Sequence, residues 1–383
     1  MQHQTRGRAA VVVGLLLGCG CGTVPASGLS RNLPADQLRL AVPPTTAPAI
    51  ALSNLEGAIG ALLAKTEPLA PARAAELVEL LLTRGRFLGR IDDYERADAI
   101  AEEAVRRAPE SPFAYLARAG TAATFHRFPA ALRDLERAAS LGAAQDRVAS
   151  ARAAILQATG RYREALELRR RLAAECPGIA TLAGEASVLA EMGSWDAAER
   201  RFGDALESYS DVSPFPVAWL YFERGRMWMR AAQLPRAREM FAVARRVLPQ
   251  YAAATGHLGE VEAALGYTER ALPLLRAAAD ASDDPDPAGQ LARVLLAAGQ
   301  ARDAALWRDR ALIRFEDLLA RHPEGFADHG AEFFLGAGAD PARALTLARH
   351  NFETRHTPAA CTLLARAARA AQAALPGCPL PPA

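Results

Sequence analysis

The sequence predicts an all-α protein that consists of repeated helix pairs. Three observations support this prediction: Ala supplies 88 of the 383 residues, aromatic residues make up 6% of the chain, and small residues recur about every 34 positions. Ala is the strongest helix former, whereas the β-branched and aromatic residues that favour strands are sparse. An all-β protein and a Rossmann-type α/β protein are therefore not expected.

The overall composition excludes two further classes. Hydrophobic residues at 51% and charged residues at 23% are usual for a folded soluble body, so wholesale disorder is excluded. The formal net charge is only +2, and no long basic run occurs. Because binding to a phosphate backbone requires clustered Lys and Arg, we do not expect nucleic acid as a partner.

The first 18 residues have the character of an export signal. Arg6 and Arg8 give a positive start, and Ala9 to Leu17 form an apolar stretch of nine residues. A helix needs about 20 apolar residues to span a bilayer, so this stretch is too short for a transmembrane helix. Residues 1–18 are therefore expected to be a signal peptide.

The end of this stretch, Leu16-Leu17-Gly18-Cys19, resembles the lipobox of bacterial lipoproteins. The resemblance implies that cleavage falls after Gly18, that Cys19 is acylated on its sulfur and its new amino group, and that the lipid anchors the protein to a membrane. Gly20 stands where similar lipoproteins retained at the inner membrane carry Asp, which implies an outer-membrane location facing the periplasm. Two alternatives remain open: a secreted protein cut after Ala26, and an uncleaved anchor.

The next segment connects the predicted anchor to the folded body. Residues 19–52 are rich in Pro, Gly, Ser and Thr and show no helical period, which predicts a flexible tether. Ser53 and Glu56 have the spacing of a capping box, which predicts a helix over residues 54–65. Residues 53–77 are therefore expected to form N-terminal capping helices.

The body of the chain repeats itself about every 34 residues. Tyr94, Phe128 and Tyr162 are each 34 positions apart, and a small residue follows each of them three positions later. This set of small residues continues through the chain as Ala97, Ala131, Ala165, Ala198, Ala237, Ala271, Ala304 and Ala344. A second set lies twelve positions before the first: Gly85, Ala119, Ala153, Ala186, Gly225, Gly259 and Ala292.

This spacing has a physical reason. Two antiparallel helices approach closely only where small side chains occupy their crossing point, and Pro after the second helix ends the unit. On these residues the segment 78–356 resembles a tetratricopeptide repeat (TPR) array of seven clear repeats and one divergent repeat. The resemblance implies a right-handed α-solenoid of helix–turn–helix repeats. An Ala-rich bundle with an accidental period is the alternative, but five of the seven spacings are 33 or 34.

Three departures from the repeat are expected to change the structure locally. Ser208–Pro216 interrupts the array between the fourth and fifth repeats, and Pro214 and Pro216 predict extended backbone there. The second helix of the seventh repeat is expected to run on to Arg321. The eighth repeat is divergent because Asn351 stands where a small residue is expected.

The C-terminal segment is predicted to close the array. Residues 357–376 are expected to form a capping helix that covers the last apolar face, followed by a tail over residues 377–383. Cys361 in this helix and Cys378 in the tail could pair in an oxidising compartment. The sequence leaves the pairing open.

Histidine and acidic residues cluster late in the chain, and they offer a metal site as an alternative function. The members are His322, His329, His350, His356, Asp328, Glu332 and Glu353. His329 with Glu332, and His350 with Glu353, have a spacing that places two ligands on one helix face. However, no HExxH motif and no paired CxxC motif occurs, so we expect helix-end and structural roles for these residues.

The predicted groove offers the main candidate site. In TPR arrays the first helix of each repeat lines the concave face, and similar proteins bind peptides or extended segments there. The register places eight residues toward this groove: Trp219, Phe222, Arg226, Met229 and Arg230 of the fifth repeat, Arg86 and Arg90 of the first, and Arg293 of the seventh. Arg pairs with carboxylates, while aromatic residues and Met supply apolar contact. For Trp219 and Phe222, packing under the inserted loop is the alternative.

These observations predict a membrane-tethered, non-catalytic TPR scaffold that binds other proteins in the bacterial cell envelope. No Gly-rich phosphate loop and no Gly-x-Ser-x-Gly motif occurs, so neither an enzyme nor a cofactor or metal is expected. The rivals are a periplasmic metal-binding or metal-dependent hydrolytic protein that uses the late His cluster, and a structural spacer without a groove ligand.

Overall fold

The computed structural model describes residues 42–374 and 377–378, and within these residues the fold is all-α, with 18 helices and no strand. The first nine helices are α1 (Pro48–Leu63), α2 (Pro71–Leu88), α3 (Ile91–Arg107), α4 (Pro112–Thr124), α5 (Phe128–Ser140), α6 (Gln145–Ala158), α7 (Tyr162–Glu175), α8 (Ile179–Glu191) and α9 (Trp195–Glu207). The other nine are α10 (Pro214–Arg230), α11 (Leu234–Val247), α12 (Ala252–Ala264), α13 (Thr268–Ala281), α14 (Asp286–Ala297), α15 (Ala301–Arg321), α16 (Pro323–Leu335), α17 (Pro341–Thr354) and α18 (Pro358–Ala370). Each helix packs on the next one, so the chain is a helical-repeat solenoid.

Helices α2 to α17 form eight pairs, which are the eight repeats that the sequence predicted. The predicted crossing points are where the two helices of a pair meet most closely. A methyl group added at Gly225 would lie 2.5 Å from Cε1 of Phe241, and one added at Gly259 would lie 2.8 Å from Cγ of Leu275. The large residue of the second helix thus occupies the space that the glycine leaves empty.

The other predicted set of small residues is buried at the same interfaces. Ala97, Ala131 and Ala165 are completely buried, as are their counterparts in the fourth, fifth, sixth and eighth repeats. A longer side chain at any of these positions would separate the paired helices, because their backbones approach over the Ala methyl group. The 34-residue period is therefore a period of helix–helix contacts.

The N-terminal helix begins earlier than predicted. Helix α1 starts at Pro48, and Ser53 lies inside it, so the predicted capping box does not form and the helix has no side-chain cap. Pro has no N–H to lose at the first helical position and its fixed φ suits the helix. The first repeat likewise begins at Pro71, before the predicted boundary at residue 78.

The inserted loop is shorter than predicted. Irregular backbone covers only residues 208–213, and α10 begins at Pro214 with Pro216 in its first turn. The expectation of extended backbone at both prolines was wrong, because the first turn of a helix accepts Pro for the reason given for Pro48. The long second helix of the seventh repeat is confirmed, since α15 runs over 21 residues to Arg321.

The array coils so tightly that its first repeats contact its last ones. The side-chain hydroxyl of Ser282, between α13 and α14, donates to the carbonyl oxygen of Gly89 at 2.7 Å. The carboxylate of the next residue, Asp283, accepts hydrogen bonds from the backbone N–H groups of Ile91 and Asp92, so it caps the N-terminus of α3. Such a cap satisfies N–H groups that have no partner within their own helix.

Aromatic packing and further polar contacts reinforce this closure. The ring of Phe87 in the first repeat lies 5.0 Å from the ring of Phe215 and 4.8 Å from that of Tyr251. Farther along, His322 stacks on Phe125 with 4.0 Å between ring centroids, and its Nε2 lies 2.9 Å from a carboxylate oxygen of Glu95. Repeats far apart in sequence thus share one surface, which encloses the space at the centre of the coil.

The C-terminal helix α18 covers the eighth repeat through Leu363, Leu364 and Ala367, all buried. A disulfide joins Cys361 to Cys378, with 5.8 Å between their α-carbons, so the pairing that the sequence left open is present. Among the described residues, no helix combines the length and the apolar character that crossing a membrane requires. The predicted signal peptide and Cys19 lie outside the described residues.

Candidate binding channel

Two adjoining cavities occupy the centre of the coil, and together we call them the channel. The first, the mixed chamber, has a volume of about 680 Å³ and lies between repeats five and eight and α18. The second, the basic chamber, has a volume of about 510 Å³ and lies mainly between repeats three, four and five. Both chambers share five wall residues: Met229, His257, Arg355, Thr357 and Ala359.

The first helices of the repeats supply most of the channel wall. Helices α6, α8 and α10 line the basic chamber, and α12, α14 and α16 line the mixed chamber. This placement follows from the repeat, because the first helix of each pair lies on the concave side of the coil. The closure of the coil adds Arg86 of the first repeat and the connection between α17 and α18 to the basic chamber.

Six of the eight predicted groove residues line the channel. Five of them lie on the wall of the basic chamber, and these are Trp219, Arg226, Met229, Arg230 and Arg86. Arg293 lies on the wall of the mixed chamber, where its guanidinium group donates to the side chain of Gln290 at 3.0 Å. The register of the repeat therefore located the wall, although binding of a partner there stays a prediction.

The other two predicted residues do not line either chamber. Phe222 is buried, at 8% exposure, and its ring lies 5.0 Å from that of Tyr251 and 5.7 Å from that of Phe241. Its ring packs between the second helix of its own repeat and the start of the next repeat, because α10 contacts both. Arg90 lies just before α3, is exposed, and faces Glu56 of α1 at 3.7 Å. Both expectations of a groove position were wrong.

Most charged groups of the mixed chamber are paired with other charged groups, whereas Arg293 donates to Gln290. His257 lies 3.0 Å from Glu260, His329 lies 3.6 Å from Asp286, and Arg366 lies 2.6 Å from Glu332. The negative charge of Asp328 raises the pKa of His329 to about 10, so this imidazole is protonated at neutral pH. Burial opposes ionisation of Asp328, but the charges of His329 and Arg355 hold its pKa below the ordinary value.

The late His residues contact separate partners in the described structure. His322 contacts Glu95 and Phe125, His350 faces Glu353 at 3.6 Å, and the ring of His356 packs on Phe352. His329 turns toward Asp286, while Glu332 turns toward Arg366, so the predicted pair on one helix face is split. Within residues 42–374 and 377–378, no three His, Cys, Asp or Glu residues are arranged to hold a metal ion.

The sequence reasoning missed a second periodic feature, a set of ion pairs that join neighbouring helices. In each of the first five repeats, a charged residue stands immediately before the small residue at which the first helix crosses the second. Four of these charged residues form short ion pairs. The pairs are Arg84 with Asp93, Arg118 with Asp134, Glu185 with Arg201, and Arg224 with Glu199. A charged residue repeated at an otherwise buried position was the available signal, because buried charges require partners.

No feature of the sequence identifies Arg169 as a channel residue. It lies on α7, the second helix of the third repeat, which the register assigned to the outer side of the coil. Gly184 of α8 leaves room for its guanidinium group to reach the basic chamber. The sequence likewise does not show that repeats one and five lie side by side. It therefore predicted that Arg86 faces the groove, but not that Arg86 lines the same chamber as the fifth repeat.

Comparison with known proteins identifies the fold of the chain but not its function. No protein-family model matches the chain, and no curated protein matches its sequence. Among solved structures, the chain is similar to a human IFIT1 dimer with PPP-AAAA at 16% identity, covering 80% of this chain and 78% of that one, with a TM-score of 0.51. It is also similar to a human IFIT1 dimer with m7Gppp-AAAA at 17% identity, covering 84% and 78%, with a TM-score of 0.50.

A third similar structure, the APC/C hetero-tetramer Cut9–Hcn1, has 17% identity and a TM-score of 0.46, and the match covers 86% of this chain and 61% of that one. Identities this low show shared architecture only. The likeness to the IFIT1 structures shows the fold that the sequence predicted, an all-α, TPR-type α-solenoid.

Proposed function

We propose that this protein is a non-catalytic scaffold that binds an extended segment of another protein in the channel. The single observation that carries the proposal is the channel itself, because the first helices of successive repeats converge on one continuous concave wall. This wall combines apolar side chains with polar groups that are held in place by ion pairs. Such walls bind ligands that offer both an apolar surface and hydrogen-bonding groups.

The charges of the channel support a binding role rather than catalysis. The carboxylates and imidazoles of the mixed chamber are engaged in ion pairs, which hold them in place as binding groups. General acid–base chemistry requires a base in contact with the group that it deprotonates. The scaffold function needs only the shape and the fixed charges of the wall.

Photo-cross-linking in intact cells tests the proposal. A photoreactive amino acid replaces Gln157 in the basic chamber or Gln290 in the mixed chamber, and the matched controls carry it at exposed Glu239 and Arg302 on the outer helices. We expect both channel positions to capture the same protein through one segment, identified by mass spectrometry, and the outer positions to capture none of it. Equal capture from all four positions would contradict the proposal.

We also propose that a lipid on Cys19 tethers the scaffold in the bacterial cell envelope, at the outer membrane. The motif Leu16-Leu17-Gly18-Cys19 supports this proposal. The tether would join the body beside the inserted loop, where the backbone N–H of Thr46 donates to the carbonyl oxygen of Val212 at 2.6 Å. Attachment at this loop leaves the channel wall free of the anchor.

Metabolic labelling with a palmitate analogue tests the tether. Cys19→Ser should abolish labelling and processing and release the protein from the membrane fraction, because a serine hydroxyl cannot accept the thioether-linked lipid. Cys21→Ser is the matched control and should leave both unchanged. Unchanged membrane retention and processing of the Cys19→Ser protein would refute the lipid anchor, and unlabelled wild-type protein in the soluble fraction would favour the secreted form cut after Ala26.

A further inference from the structure

The basic chamber contains two guanidinium groups without a carboxylate partner. Five Arg side chains line this chamber, and three of them are paired: Arg226 with Glu223 at 3.1 Å, Arg230 with Glu191 at 3.1 Å, and Arg355 with Asp328 at 2.5 Å. The remaining two are Arg86 and Arg169. In the described part of the chain, neither of them forms an ion pair.

Arg169 is held firmly although its charge is not compensated. Its Nη1 donates to the hydroxyl of Ser150 at 3.2 Å, and its Nε is buried without a hydrogen-bond partner in the described residues. Burial lowers the pKa of this guanidinium group to about 10, since no nearby carboxylate opposes the loss of solvation. The group packs over Gly184, where an added methyl would lie 3.1 Å from Cζ, so its position is fixed by the wall.

Arg86 enters the chamber from the other side. It projects from the last turn of α2, in the first repeat, and reaches a wall otherwise made by repeats three to six and the α17–α18 connection because the coil is closed. The described residues offer it neither a hydrogen bond nor an ion pair. Its charge acts on the nearby phenol of Tyr251, whose pKa burial raises far above the usual value.

One carboxylate in the chamber is also unpaired. Asp146 lies in the first turn of α6, where the helix dipole stabilises its negative charge. Asp146 forms no ion pair within the described residues, so it does not neutralise either Arg. The chamber thus presents two cations, Arg86 and Arg169, beside an apolar wall that includes Trp219, Tyr162 and Leu172.

We propose that the basic chamber binds an organic anion, whose carboxylate or phosphate groups pair with Arg86 and Arg169 while its apolar part packs against Trp219. Arg forms forked hydrogen bonds to both kinds of oxyanion, and partial enclosure strengthens such charge-assisted bonds. A volume of about 510 Å³ is in the range of small-molecule sites. The anion is either a free small molecule or an acidic residue of the bound partner segment, in which case the inference rests on the proposed function.

Calorimetry with three probes tests the site and separates the two sources. The purified full-length protein is titrated with succinate, with phenyl phosphate and with a Glu-Leu-Glu peptide blocked at both ends. Arg86→Met and Arg169→Met should each weaken binding by tenfold or more, since each removes a charged hydrogen-bond donor. Asp146→Asn should tighten binding a few-fold because it removes a repelling charge, and Arg302→Met on the outer surface should change nothing.

Thermal unfolding without ligand provides an independent readout. Arg169→Met should raise the unfolding temperature, because it removes a buried, uncompensated charge and keeps most of the side-chain volume. A purely structural Arg would give the opposite shift. Arg86→Met and Asp146→Asn lie on other helices, so they report on binding even when Arg169→Met alters folding.

The outcomes decide between the alternatives. Binding of succinate or phenyl phosphate that both Arg variants weaken supports a site for a free anion, and it stands even if cross-linking finds no partner in the channel. Binding of the blocked peptide alone, weakened in the same way, assigns the anion to a partner segment. The inference is overturned if none of the probes binds, or if binding is unchanged in both Arg variants.

Discussion

At the scale of single residues, burial can make a charged side chain unfavourable for the folded state. Glu79 is a charged residue on α2, yet its side chain is only 11% exposed and its nearest cation, Arg147, is 3.6 Å away. Burial raises the pKa of this carboxyl group to about 7, because the charge of Arg147 offsets only part of the lost solvation. Ionised Glu79 therefore destabilises the folded protein.

Replacing this carboxyl group should make the protein more stable at high pH. The folded state holds the proton of Glu79 more tightly than the unfolded state does, so stability decreases as the pH rises from about 4.5 to about 7. Glu79→Gln should raise the free energy of unfolding by about 2–3 kcal/mol at pH 8 and leave it unchanged at pH 4. Thermal unfolding over this pH range measures the difference. Glu239→Gln, on an exposed position, should show no such dependence.

Glycine at a crossing point should be irreplaceable, whereas glycine elsewhere in a helix should not. Gly225→Ala places a methyl group 2.5 Å from a ring atom of Phe241, and such overpacking costs about 1–3 kcal/mol. Gly57 lies in α1 with no atom within 4 Å of an added methyl, so Gly57→Ala should raise stability by about 0.5–1 kcal/mol. Urea unfolding compares the two variants. Equal effects in both would show that the crossing does not determine the helix spacing.

At the scale of secondary-structure elements, the sequence predicted which segments are helical better than it predicted where each helix begins. The small-residue period identified the repeats, because close helix–helix contact favours small residues at the crossing points. The helix starts at Pro48 and Pro214 were missed because a proline predicts either extended backbone or a first helical turn, and the choice depends on what the following residues pack against.

The disulfide should stabilise the capping helix more than the rest of the array. It joins residues that are 17 positions apart, a loop whose closure corresponds to about 3 kcal/mol in the chain-entropy model. Replacing Cys361 and Cys378 together by Ser should increase hydrogen exchange in α18, while exchange in α4 and α5 stays unchanged because solenoid stability is local. Mass spectrometry of exchanged peptides measures both regions. Unchanged exchange in α18 would mean that packing alone holds the helix.

At the scale of the whole molecule, a few polar contacts close the coil. Asp283 caps α3 from a position 192 residues away in sequence, and it also faces Arg314 at 3.6 Å. Contacts of this kind hold repeats one and seven together, and the enclosed channel depends on them. Arg86 of the first repeat and Trp219 of the fifth line the same chamber in this closed coil.

Removing the cap should loosen the closure. Asp283→Ala leaves two N–H groups of α3 without their acceptor, and loss of a helix cap costs about 0.5–2 kcal/mol. We expect a lower free energy of unfolding and a larger radius of gyration in small-angle scattering. Asp280→Ala, which removes an exposed carboxylate of α13 that pairs with Arg310, is the matched control. An unchanged radius in the Asp283→Ala protein would show that apolar packing, including Phe87 with Tyr251, suffices for closure.

The sequence by itself determined the fold class, the number of repeats and the concave register that places Trp219, Arg226 and Arg293 on the channel wall. It did so because helix pairing acts within about 34 residues and requires small residues at fixed intervals. Only the tertiary structure decided the closure of the coil, the burial of Phe222 and the presence in the basic chamber of two Arg side chains that form no ion pair with the described residues. Those features depend on the accumulated curvature of eight repeats, which no local pattern records.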